Sequence, residues 1–147
     1  MDGIEDTKTT RQHLLDNILW IVRELEQGSE ELDEECFNCG SKNEEMCNDI
    51  EMSGCGDYEP SPTEYHNPKR VLDFEFISGG RGDFRGVEVL ATYGGPTITI
   101  CTKTDTVTGS WGGEESISRR YSDNFGLHER YEKLFHRILI LRIHSNL

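Results

Sequence analysis

Hydrophobic positions near the start of the chain recur at helical spacing. Leu14, Ile18, Ile21 and Leu25 fall three or four residues apart, Leu15, Leu19 and Val22 widen the stripe, and Trp20 stands beside it. The pattern predicts an amphipathic helix over 8–27, with Thr9 or Thr10 placed to cap its start and Gly28 to end it. Such a stripe faces a core in one reading and a partner or a second copy, making a dimer, in the other. The following stretch, 29–66, has no period, and prolines interrupt its close, "YEPSPTEYHNP".

From residue 70 the period becomes two. In "VLDFEFI" (71–77) Val71, Asp73 and Glu75 alternate with Leu72, Phe74 and Phe76, the pattern of a strand with one buried face. "VEVLATY" (87–93), "TITICT" (97–102) and "VTGSW" (107–111) read as three more strands, joined by "GGRGDFRG", "GGP" and "TDT". Connections this short favour an antiparallel meander. "DNFGLHERYEKLFHRILILRI" (123–143) returns to helical spacing through Leu127, Tyr131, Leu134, Phe135, Ile138 and Leu141, with Ser122 or Asp123 as cap. The expected fold is therefore α+β in a single domain. An N-terminal helix (1–28) and an acidic, cysteine-rich segment (29–69) precede a four-stranded antiparallel meander. A C-terminal helix then packs on one sheet face (70–147).

Charge changes the picture of the aperiodic segment. Of the 28 acidic residues, 18 lie in 1–66 with only 4 bases, whereas 67–147 holds 10 acids and 11 bases. The excess negative charge, −13 over 147 residues, therefore resides in the front half. Such a field favours basic partners and disfavours direct contact with nucleic acid or anionic membranes. The segment 29–66 carries 12 acidic residues against one base, Lys42, a density that ordinarily means disorder. The N-terminus lacks the basic start and apolar run of a signal peptide, and "ILWIV" and "ILIL" are too short to span a bilayer. A reducing cytoplasm is the expected compartment, where stable disulfides are unusual.

Four of the five cysteines argue against plain disorder. Cys36 and Cys39 form a CxxC, and Cys47 and Cys55 follow, each after seven intervening residues. Two thiolates of a CxxC reach one Zn²⁺ at about 2.3 Å, and two more complete a tetrahedron that leaves no open position, a structural site. Gly40, Gly54 and Gly56 supply the tight turns such knuckles need. The second pair is not itself a CxxC, so free thiols in a mobile loop stand as the main alternative, with a disulfide or redox pair as a third. His66 is a possible substitute for one thiolate. Cys101, within a strand pattern, reads as a small buried hydrophobe.

Other motifs add little. The RGD inside "GGRGDFRG" reads as a basic hairpin tip, and "YGGPTI" as turn chemistry without a nucleotide-binding pattern. Arg119, Arg120, Arg130, Lys133, Arg137 and Arg142 make the last quarter locally basic, a solvated face or a counterpart to the acidic segment. No serine elbow, HExxH or Cys/His dyad appears, so nothing in the sequence supports an enzyme.

The block "VEVLATYGGPTITICTKTDTVTGSWGG" resembles a strand–GGP–strand–W(G/W)G hairpin pattern in small phage and mobile-element proteins, some grouped with anti-CRISPR or antirestriction inhibitors, and the similarity covers about residues 72–135. The resemblance implies a non-enzymatic inhibitor that occupies the basic channel of a nuclease such as a CRISPR effector. No site residue carries over from it. The charge reading meets it at the acidic segment, where Glu30, Glu31, Asp33, Glu34, Glu35, Glu44, Glu45, Asp49 and Glu51 are the expected partner contacts. A small zinc-containing interaction module built on Cys36, Cys39, Cys47 and Cys55 is the second expectation. An enzyme acting on a basic or small substrate is the third.

Overall fold

The computed structural model describes residues 9–29, 34–112 and 115–145. Helix α1 spans Thr10–Gln27, and the short helix α2 spans Glu44–Asn48. Two 3₁₀ turns follow, Ile50–Met52 and Glu64–His66. Five strands come next, β1 Asp73–Ser78, β2 Phe84–Thr92, β3 Thr97–Cys101, β4 Thr106–Ser110 and β5 Ile117–Arg120, before α3 at Leu127–Ser145.

The sheet is an antiparallel meander in the order β1-β2-β3-β4-β5. The fifth strand corrects the four expected. "ISRR" carries one apolar residue, too few for a period to register, yet Ile117 is buried opposite Gly109 while Ser118, Arg119 and Arg120 stay in water. Register puts Phe74, Phe76, Val87, Val89, Ile98, Ile100, Val107, Gly109 and Ile117 on one face. Both long helices cover that face, α1 over β4 and β5 and α3 over β2.

Helix α1 follows the predicted stripe closely. Leu14, Ile18, Ile21 and Leu25 are buried, each side chain worth about 1.5–3 kcal/mol of burial, while Leu19 and Trp20 face outward. The Thr9 hydroxyl accepts the Gln12 amide at 3.2 Å, and the Gly28 amide donates to the Glu24 carbonyl at 2.8 Å. Gly109 lets the helix settle, since a Cβ there would lie 2.8 Å from Leu14 Cδ1 and 3.1 Å from Ile18 Cδ1.

Helix α3 begins at Leu127, later than its periodicity suggests, because Asp123 acts from outside the helix. Its carboxylate accepts the amides of Leu127 and His128 at 2.7 and 3.1 Å. Leu127 and Tyr131 are buried, and Phe135 packs against Phe76 and Phe84; Leu141, by contrast, is exposed beyond the sheet. Two further expectations shift at the strands. Leu72 precedes β1 and lies exposed, since the strand starts only at Asp73. Cys101 pairs with Glu88 and Thr106 on the face the helices do not cover, where it is half-buried instead of lying in the core.

Candidate metal centre

The cysteine segment forms a compact knuckle in place of a mobile loop. Asn43 caps α2 by accepting the Met46 amide at 2.8 Å, which starts a helix inside an acidic run. That short helix turns Cys47 inward, where it is fully buried. Across from it the CxxC turn closes as the Gly40 amide donates to the Cys36 carbonyl at 2.7 Å. Cys55 returns to the cluster through Gly54 and Gly56, whose amides donate to the carbonyls of Asp49 and Cys47 at 3.0 and 2.8 Å. At Gly54 a Cβ would collide with the backbone of Met46 and Cys47, so only glycine fits the crossing.

The result is a four-sulfur cluster. Cys47 Sγ lies 3.3 Å from Cys55 Sγ, 3.7 Å from Cys36 Sγ and 3.8 Å from Cys39 Sγ, and Cys36 and Cys55 are 3.6 Å apart. All four sulfurs fall within 4.8 Å of one another. Four thiolates around one Zn²⁺ at about 2.3 Å define a tetrahedron with edges of about 3.8 Å, so the donor set and its spacing fit that ion. No pair approaches the roughly 2.05 Å of a disulfide, and all four thiols are free. The structure thus forms a site able to hold a metal.

Backbone donors surround the sulfurs. The Asp57 amide donates to Cys55 Sγ at 3.4 Å and the Glu59 amide to Cys36 Sγ at 3.5 Å, contacts of the kind that orient thiolate ligands and temper their charge. Hydrogen bonding to Ser41, whose hydroxyl is 3.0 Å from Cys39 Sγ, draws that thiol down to about 6. At Cys55 the Asp57 amide favours the thiolate, but burial and the neighbouring sulfurs outweigh it and push the thiol up to about 12. Burial also raises the Cys47 thiol. Packing the thiols together without a cation therefore opposes ionisation of Cys47 and Cys55, and a divalent ion reverses that balance.

The knuckle is docked on α3. Phe37, between the two cysteines of the CxxC, lies under the Arg130 guanidinium at 4.6 Å, and Arg130 also donates to Ser61 Oγ and the Pro60 carbonyl. Lys133 pairs with Glu59 at 3.3 Å, and Arg137 donates to the Asn38 carbonyl at 3.4 Å. The basic helix face is thus a counterpart to the acidic segment, across some seventy to a hundred residues of chain. No local sequence signal announces that docking, because every partner is distant along the chain.

The expected partner contacts separate into three groups. Glu34, Glu44, Glu45, Asp49 and Glu51 are exposed. Glu35 is half-buried and pairs with Arg70 at 3.7 Å. Glu30, Glu31 and Asp33 lie outside the described residues. Met46, Ile50 and Met52 stand exposed among these carboxylates, an apolar element that charge counting overlooked.

His66 is no substitute ligand. It is fully buried, its Nδ1 lies 2.6 Å from Thr63 Oγ1, and it is not among the clustered donors. At the hairpin tip Arg85 turns to Asp83 at 2.7 Å, holding that carboxyl below its ordinary range. Among the described residues no helix is long and apolar enough to cross a membrane.

Fold and site together define an α+β protein whose sheet and C-terminal helix carry a four-cysteine knuckle. No family model matches the chain, and the searches found neither a curated protein nor a solved structure similar to it.

Proposed function

We propose that this chain is a non-enzymatic binding protein in which a structural Zn²⁺ on Cys36, Cys39, Cys47 and Cys55 stiffens an acidic surface for a basic protein partner. One observation carries the reading: four sulfurs within 4.8 Å of one another inside the most acidic part of the chain. The metal supplies rigidity, and Glu34, Glu44, Glu45, Asp49 and Glu51 supply the charge. The resemblance in the strand block gives the partner its concrete form, the nucleic-acid channel of a nuclease such as a CRISPR effector, blocked by mimicry of the nucleic acid.

Two measurements test it. Elemental analysis of the purified chain is expected to find about one zinc per molecule, and a content far below that removes the metal half. Affinity purification from cells carrying defence nucleases is expected to recover a basic partner at low salt and to lose it near 0.5 M NaCl, by screening. Charge reversal at Glu44, Glu45 and Glu51 is expected to have the same effect. Retention under both conditions would sink the acidic-surface half.

A further inference from the structure

A groove of about 310 Å³ opens where the CxxC turn meets the sheet and α3. Phe37 of the turn, Phe74 of β1, and Leu134 and Ile138 of α3 give it an apolar floor. Lys69 and Arg137, both exposed, are its charged residues, and no carboxylate is among its described lining. In a chain of net charge −13, that lining carries the opposite sign. Arg137 is tied to the Asn38 carbonyl at 3.4 Å, which uses one of the five N–H donors of a guanidinium.

Size and polarity together restrict the occupant. Small-ligand pockets run from about 300 to 1,000 Å³, so this one takes a single phenyl- or indolyl-sized body and not a long chain. An apolar floor with a wholly cationic charged lining selects an anion attached to such a body. We propose that the groove binds a small aromatic carboxylate, its ring on Phe37, Phe74, Leu134 and Ile138 and its carboxylate at Lys69 and Arg137. The site is separate from the acidic surface. It shares a wall with the cysteine knuckle, because Phe37 sits between Cys36 and Cys39, so metal and ligand binding are coupled.

Indole-3-propionate titrated into the full chain, followed by ¹H–¹⁵N amide shifts, tests this. Saturable binding in the millimolar range or tighter is expected, with shifts centred on Phe37, Lys69 and Arg137. The uncharged indole-3-propionamide is expected to bind about tenfold more weakly, as are Lys69→Gln and Arg137→Gln with the acid. Ile138→Trp, which fills the groove from a half-buried position, is expected to abolish binding while the melting temperature holds. Equal binding of acid and amide, shifts centred elsewhere, or no saturation by about 10 mM overturns the proposal. Chelation is expected to weaken binding by removing the Phe37 wall. Should the purified chain hold no metal and still pass the other tests, the zinc reading fails and the groove stands.

Discussion

At Gly54 the requirement is absence of a side chain, because any Cβ would strike the carbonyls of Met46 and Cys47. Gly54→Ala is therefore expected to push Cys55 out of the sulfur cluster and to lower zinc content well below that of the parent, read by elemental analysis. Retention of full metal content would show that the turn yields. His66 sets a different constraint. Burial, reinforced by Arg130, holds its imidazole down to about 4 against the ordinary 6.5, although Asp123 pulls the other way. The folded state then keeps it neutral, and its stabilising contribution is present above about pH 6.5. Acidification from there towards pH 4 protonates only the unfolded chain, a loss of about 3 kcal/mol in all. Urea unfolding of the parent and of His66→Asn at pH 7 and 4.5 checks this. The parent is expected to lose roughly 2 kcal/mol more on acidification than the variant, and equal losses would refute the assignment.

The elements meet in two ways that their own sequences do not announce. Helix α1 lies close over β4 because residue 109 is glycine, so Gly109→Val has to displace Leu14 and Ile18. A cost of about 1–3 kcal/mol is expected in chemical unfolding, with the five-stranded sheet retained by circular dichroism. Strand β5 is an edge, and Arg119 and Arg120 keep that edge charged and solvated. Replacing both with valine is expected to raise self-association, measured by light scattering, with little change in monomer stability. An unchanged monomer at high concentration would mean the edge is protected by something else.

On the scale of the whole molecule there are two kinds of stability. The sheet and its helices close a continuous apolar core from Leu14 to Tyr131, whereas the knuckle adds only Cys36 and Cys47 to the buried apolar residues and is clamped to α3 by polar contacts. Removing metal is accordingly expected to speed amide exchange across 36–57 while the central strands β2, β3 and β4 stay protected. Global loss of protection on chelation would instead make the knuckle part of the folding core. The same division assigns the roles. Under the proposed function, the apolar scaffold would hold up the charged surface that zinc stiffens, and the salt dependence of partner capture is expected to belong to that surface alone.

Periodicity in the sequence determined the two long helices, four of the strands and the α+β class, because an amphipathic period reflects which side of an element is dry. The CxxC with Cys47, Cys55 and the flanking glycines likewise marked the four sulfurs that come together, since metal chemistry limits the residue types and turns. Tertiary structure alone decided the rest. It made "ISRR" a strand by supplying β4 as a neighbour, and it chose a four-sulfur cluster over a loose acidic loop by bringing Cys55 back over Gly54. It also turned His66 into a core residue and set Arg137 and Lys69 beside Phe37. Those outcomes depend on contacts between residues far apart in the chain, and local pattern holds no record of which distant groups will meet.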